Sequence, residues 1–348
     1  MLDASRLYAN RGELTTLLEA RLGRRLALAG AHIVLAASGT AGLTASILAV
    51  AGVARADRPY CLCPGYTFVA GALAAERCGY LPYFLDIDPD GWTASPKQVI
   101  AHKRIRQAGV ILAVAPYGQA VQNQAWDEVR RQTGVPVVID AAASFEALAD
   151  RAPEPLGETP IVLSFHATKA FGCGEGGAVI SADRALLHRV YAALNFGFDG
   201  VRETSGPGFN GKMSEYHAAV GLAELDGWDE KRAALVRVAS FYRRVAAEHR
   251  IRLHAAPAIA SNYVLFEADS AEQAAVVRTA LDLEDVGNRL WYGEGLHRQP
   301  HFRTAARDML PGVEDLAPRL LGLPVAHDLG PDEIERIIRI VALSSAPC

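Results

Sequence analysis

Five short segments of this chain are almost wholly apolar: HIVLAA from His32, PYCLC from Pro59, YLPYFLDI from Tyr80, GVILAVAP from Gly109 and PVVID from Pro136. A strand with one solvated face alternates apolar and polar residues, so strands without that alternation are buried on both faces. The first four are each followed by a helical pattern (SGTAGLTASILAV, TFVAGALAAERCG, SPKQVIAHKRIRQ, NQAWDEVRRQTG), and the fifth by a loop. Strands that alternate with helices and are covered on both sides predict a mostly parallel sheet between helical layers, a three-layer α/β/α fold. With 348 residues, half of them hydrophobic, the chain can bury such a core and has length left for a smaller unit.

The flanks complete the organisation. Leu14, Leu17, Leu18 and Leu22 recur at helical spacing and predict a first helix. From Met213 a long helical stretch runs to His249 without proline, with only Gly221 and Gly227 as weak points, and is expected to bridge two domains. The segments SNYVLFEA, SAEQAAVVRTALD, NRLWY and PDEIERIIRIVAL beyond it predict a smaller α+β domain. The expected division is a large domain over residues 1–235 and a small C-terminal domain over 236–348.

Charge and cysteine usage exclude several function classes. The 35 Lys and Arg against 39 Asp and Glu leave a net charge of −4, without the basic footprint of a nucleic-acid or membrane-surface binder, so any anion must be held locally. The five cysteines, Cys61, Cys63, Cys78, Cys173 and Cys348, are odd in number and irregularly spaced, which predicts reduced thiols and a cytoplasmic protein. The N-terminus lacks a basic start followed by an apolar core, and the run LTASILAVAGVA is too short to span a membrane. No metal site is expected: Cys61 and Cys63 have no second pair at zinc spacing, and Pro300 interrupts any helix that would align His297 with His301.

In a parallel sheet, ligands gather beyond the C-terminal ends of the strands, so polar residues that end the apolar runs are the candidates for chemistry. Ser38-Gly39-Thr40 follows HIVLAA, Asp140 closes PVVID, and Lys169 lies just past IVLSF. Singly these read as a helix cap, a turn residue and a solvated charge. At one sheet edge they are what pyridoxal 5'-phosphate requires: an anion cradle, a carboxylate for its ring nitrogen and an amine for its aldehyde.

The ordered motifs carry a family resemblance over most of the chain. SGTAGL, PGYTFVAGALAAERCGYLPYFLDIDPD, VVIDAAASF, SFHATKAFGCGEGGAVIS, GFNGKMSEYHAAVGLAEL and LGLPVAHDLGPDEIERII together resemble the DegT/StrS-type sugar aminotransferases, pyridoxal-phosphate enzymes of fold type I. By that resemblance Lys169 forms the Schiff base with the cofactor and acts as general base, while Asp140 pairs with the pyridinium nitrogen. Ser164 and the backbone of Gly39, Thr40 and Ala41 hold the phosphate, and Phe68 stacks on the ring. His166 contacts substrate or cofactor, or is satisfied by backbone hydrogen bonds. Asn210 reaches the phosphate from a neighbouring subunit, implying a homodimer with shared active sites. Trp291, Tyr292 and His297 face the substrate, or pack as a loop. Ala143 departs from the pattern, standing where the family usually carries Gln, His or Glu near the ring oxygen.

The implied activity is transfer of an amino group from an amino acid, glutamate by resemblance, to a keto sugar, nucleotide-linked by resemblance, in amino-sugar or natural-product biosynthesis. The alternatives are a lyase or dehydratase on the same cofactor, disfavoured because Lys169 is present where the dehydratases carry histidine, and a non-catalytic binding or regulatory protein on this fold.

Overall fold

The computed structural model describes residues 6, 11–28, 32–149, 155–256 and 258–345. Its main sheet has eight strands: β1 (Ile33–Ala36), β2 (Tyr60–Pro64), β3 (Leu81–Leu85), β4 (Ala108–Val114), β5 (Val137–Asp140), β6 (Ile161–Ser164), β7 (Gly177–Ile180) and, late in the chain, β10 (Ala306–Arg307). The spatial order is β1-β7-β6-β5-β4-β2-β3-β10. Every pairing is parallel except those of β7, which runs antiparallel to both β1 and β6. This is the mostly parallel α/β sheet that the apolar runs predict.

The absence of polar alternation has the expected cause. Val34, Val138, Val162 and Val179 belong to one apolar core, while their neighbours Leu35, Ile139, Ile161, Leu163 and Ile180 belong to another on the opposite face. Successive side chains of a strand point to opposite faces, so both faces of these strands are dry. Each such aliphatic side chain contributes about 1.5–3 kcal/mol on burial.

Two local outcomes refine the reading of the sequence. The long helical stretch after Met213 is not one helix: it breaks at Gly227 (φ −92°, ψ 0°) into Glu215–Asp226 and Trp228–Glu248. The helix Glu13–Arg25 forms as predicted, with Leu14, Leu18 and Leu22 buried and Leu17 left 39% exposed. Its N-terminus is capped from far along the chain. The buried carboxylate of Glu215 accepts hydrogen bonds from the backbone N–H groups of Gly12 (2.9 Å), Leu14 (2.7 Å) and Thr15 (3.2 Å) and from the Thr15 hydroxyl (2.7 Å). The glutamate of the MSE motif thus satisfies amide groups that a helix leaves orphaned.

The C-terminal part carries its own antiparallel sheet in the order β11 (Leu320–Gly322), β9 (Leu265–Glu267), β8 (Leu253–His254). Helices Ala271–Leu283, Pro331–Ser345 and the second half of Trp228–Glu248 close a third core there, including Tyr242, Val277, Leu281, Ile338 and Val341. The chain does not stay on that side: β10 pairs with β3 in the main sheet. Cys61, Cys63, Cys78 and Cys173 are buried free thiols, and Cys348 lies outside the described residues. No described helix is long and apolar enough to cross a membrane, and no cluster of metal-ligating side chains occurs among the described residues.

Candidate active site

β1, β5 and β6 point the same way, so the residues following them arrive at one edge of the sheet. There they border a cavity of about 440 Å³, within the size range of cofactor and ligand sites. From the first turn comes Ser38, whose hydroxyl caps the helix Gly39–Ala51 by accepting from the Ala41 N–H at 3.1 Å. Gly39 and Thr40 line the cavity, and their amides belong to a first helical turn that has no intrahelical acceptors. Close packing holds this turn in place: a Cβ on Gly39 would lie 3.0 Å from Ser164 Cβ, and one on Gly177 would lie 2.8 Å from the Gly39 nitrogen. Ser164 also lines the cavity, and its hydroxyl accepts from the His166 N–H at 3.3 Å. The cap and the anion cradle are therefore one structure, with Ala41 committed to the cap.

Asp140 ends β5 on the cavity wall and is only 6% exposed. Its Oδ1 accepts from the Ala142 N–H at 3.1 Å. Burial pushes its carboxyl above the ordinary range, against the opposing effects of that amide and of the positive charge on Lys169. Helix Ala70–Arg77 approaches through Gly71, where a Cβ would meet Leu112 at 2.3 Å and Asp140 Oδ2 at 3.8 Å. Lys169 borders the same cavity, half-buried, and its Nζ donates to the Tyr263 hydroxyl at 3.2 Å. Ala143 adds only a methyl group to the wall.

Phe68, Trp291 and Tyr292 also line the cavity, Phe68 while 56% exposed. His166 does so too, held by side chains: Nδ1 lies 2.9 Å from the Thr168 hydroxyl and Nε2 3.7 Å from Glu175 Oε1. Two of the residues singled out in the sequence lie elsewhere. His297 is 5% exposed and packed away from the cavity with Nε2 3.4 Å from Glu314 Oε1, and burial pushes its pKa down. Asn210 is exposed and accepts from Lys212 Nζ at 3.1 Å.

Tyr66, Tyr117 and Tyr263, which the sequence did not single out, join Trp291 and Tyr292 in an aromatic group beside the cavity. Tyr117 stacks on Tyr292 (4.6 Å between centroids, 26° between planes), and its N–H donates to the Tyr292 hydroxyl at 3.3 Å. Tyr263 meets Tyr117 edge-on at 5.4 Å and Trp291 at 5.1 Å. The Tyr66 and Tyr117 hydroxyls are 2.8 Å apart, and burial pushes the phenols of Tyr66, Tyr117 and Tyr292 up, keeping them protonated. Tyr117 holds a left-handed backbone (φ +53°), a strained state for a bulky residue. The one sequence signal for it was its position in APYG, the turn that follows β4.

The residues fit pyridoxal 5'-phosphate. A buried carboxylate held in a state that desolvation disfavours is matched by a protonated ring nitrogen, and helix-terminal amides beside a serine suit a phosphate. The match to known proteins agrees with this arrangement. The model of the DegT/DnrJ/EryC1/StrS aminotransferase family matches residues 2–342. Protein Rv3402c of Mycobacterium tuberculosis is 36% identical over 321 residues, spanning 89% of this chain and 77% of that protein. The dTDP-3-amino-3,4,6-trideoxy-alpha-D-glucose transaminase of Streptomyces venezuelae is 27% identical over 315 residues, 86% of this chain and 80% of that one. The crystal structure of DesI in the presence of its TDP-sugar product superposes with a TM-score of 0.87 at 31% identity, covering 99% of this chain and 88% of that one. With the fold, the cavity and these likenesses together, the chain belongs to the DegT/DnrJ/EryC1/StrS aminotransferase family and is a pyridoxal-phosphate-dependent aminotransferase.

Proposed function

We propose that this enzyme moves an amino group from an amino acid, glutamate in the first instance, to a keto sugar carried on a nucleotide. The observation that carries this reading is the convergence of Lys169, Asp140 and the first turn of Gly39–Ala51 on one cavity, in a chain whose relatives bear the names of nucleotide-sugar transaminases. Residues 1–235 are proposed as the large domain that supplies the cofactor residues, and residues 236–348 as the small domain that closes the cavity with Tyr263, Trp291 and Tyr292.

When bound, the cofactor supplies an aldehyde carbon that carries the amino group and a ring that draws electrons from the neighbouring substrate carbon. Ser164 and the amides of Gly39 and Thr40 bind its phosphate. Asp140 holds the proton on the ring nitrogen by setting a fixed negative charge beside it. Lys169 Nζ would take the proton released at the donor's α-carbon and return it to the carbon on the other side of the transferred nitrogen, and would carry a proton the opposite way in the acceptor half-reaction. The Tyr263 hydroxyl, which accepts from Nζ, orients that amine. The aromatic wall around Tyr117 and Tyr292 keeps water from the reacting carbon. Asn210 of a second copy of this chain completes the phosphate site in a homodimer, a reading supported by its exposure and by the exposed side chains of Phe68, Phe196 and Tyr216.

Absorbance spectroscopy tests the reading in two steps. L-glutamate alone is expected to convert the bound aldehyde form to the amine form, and a nucleotide-linked keto hexose to return it. Conversion with no amino acid, or return only with non-sugar ketones, would overturn it.

A further inference from the structure

Beside the active-site cavity lies a second chamber of about 600 Å³, and the two share Thr168, Lys169, Arg289 and Trp291 as a common wall. The basic residues lining the second chamber are Lys169, Lys231, Arg289 and His327, and no described Asp or Glu lines it. Lys231 is already engaged by Glu224 in a salt bridge. Arg289 is exposed and has no carboxylate partner among the described residues. Its guanidinium lies 4.6 Å from the centroid of the Trp291 ring, a cation–π contact that steadies a long side chain without neutralising it.

The backbone beneath is fixed. Arg289 N–H donates to the Gly322 carbonyl at 3.2 Å, and Gly322 N–H donates back at 2.8 Å. A Cβ at residue 322 would lie 2.2 Å from Trp291 Nε1, so glycine there makes room for the indole on which the guanidinium rests. The result is a pre-positioned fork of N–H donors, without a carboxylate partner among the described residues, at the junction of two chambers that share Lys169, one also lined by Asp140 and the other by no described carboxylate. A guanidinium matches the paired oxygens of a carboxylate or phosphate and binds them through parallel charge-assisted hydrogen bonds.

We infer that Arg289 is the anion-recognising residue of this site, and that the second chamber receives the oxyanion-bearing part of a substrate while its reacting carbon stays beside Lys169. This rests on the transaminase reading, in which one site serves two substrates in turn. The oxyanion has two sources in that reaction, the carboxylate of the amino donor and the diphosphate of the acceptor.

Calorimetric titration of the cofactor-loaded enzyme with glutarate and, separately, with dTDP distinguishes them. Because Arg289 is exposed, Arg289→Gln keeps the fold, verified by an unchanged melting temperature. The substitution is expected to weaken glutarate, dTDP or both by on the order of 10- to 100-fold, as loss of a charge-assisted pair does. Loss for glutarate alone assigns the donor carboxylate; loss for dTDP alone assigns the acceptor diphosphate; loss for both assigns a shared site. Arg289→Lys, which keeps the charge and loses the fork, recovers part of the affinity. If Arg289→Gln binds both probes within about twofold of the wild type, or the wild type binds neither, the inference is overturned. Amine exchange of the wild type with amino acids, followed by absorbance, tests the transaminase reading independently of these affinities.

Discussion

The two walls of the cavity are built on different physics. The wall from the main sheet is made of strand ends and glycine contacts: Asp140, Ser164 and the Gly39 turn sit where backbone spacing leaves no room to move, and a Cβ added at Gly39 or Gly177 would meet its neighbours at 3.0 Å or 2.8 Å. The wall from the C-terminal part is made of side chains leaning on one another, Tyr263 on Tyr117 and Trp291, Arg289 on Trp291. Interactions of the first kind fail abruptly, because packed backbone cannot relax. Those of the second kind fail gradually. The first wall suits a cofactor that is always the same, the second substrates that alternate.

Substitutions on the two walls should therefore separate in size. Lys169→Ala, on the sheet side, is expected to abolish the aldehyde-form absorbance of the bound cofactor and to lower turnover by about 10³-fold or more, since both the covalent anchor and the proton carrier are lost. Asp140→Asn should lower turnover by roughly 10²-fold, the scale of a lost fixed charge, and at neutral pH should raise the stability of the cofactor-free protein by about 1 kcal/mol, because it removes a buried charge. The sign follows from linkage. Burial raises the Asp140 carboxyl in the folded state, so this group's contribution to stability is full below the carboxylate's ordinary value of 3.8 and is lost as pH rises through the folded value. Melting temperatures of the two cofactor-free proteins should thus converge under acid conditions and part as pH rises. A gap that widens on acidification would remove the buried-charge account.

The same contrast decided what the sequence disclosed. Strands β1, β4 and β5 were readable because burial on both faces suppresses polar alternation, and the site residues that end them follow from that geometry. Lys169 and Asp140 were readable only in combination, because each follows or closes an apolar run that reaches one sheet edge and because their motifs carry the family resemblance. Tyr117, Tyr263 and Arg289 were not: each sits in a loop or near a short strand, and its importance lies in pairings with residues distant in sequence, Tyr117 with Tyr292, Tyr263 with Lys169 and Arg289 with Gly322, that no local pattern encodes. His297 shows the converse. The family resemblance of its segment suggested a substrate contact, with a packed loop as the alternative, and packing turned it toward Glu314. Of the two weak points in the helical stretch after Met213, the chain breaks at Gly227 and runs through Gly221.

Gly177→Ala sharpens the comparison from the sheet side without touching a reactive group. The added methyl, 2.8 Å from the Gly39 nitrogen, must displace the first turn of Gly39–Ala51. Overpacking of this kind costs about 1–3 kcal/mol. Cofactor affinity by equilibrium dialysis should fall by roughly 10- to 100-fold, and unchanged affinity would free the Gly39 turn from the phosphate role.

Tyr263→Phe is the mildest probe and the most telling for the opposite wall. The ring stays, so the edge contacts with Tyr117 and Trp291 survive, and only the hydroxyl that accepts from Lys169 Nζ at 3.2 Å is lost. A single such hydrogen bond is worth about 0.5–1.5 kcal/mol, which corresponds to roughly a 2- to 10-fold fall in kcat. KM should hardly change, because the hydroxyl orients the amine that moves the proton and does not contact the substrate. Steady-state kinetics with saturating donor and acceptor separates the two parameters. A fall confined to KM would make Tyr263 a substrate contact, and a loss as large as that of Lys169→Ala would mean that the second wall is as unyielding as the first.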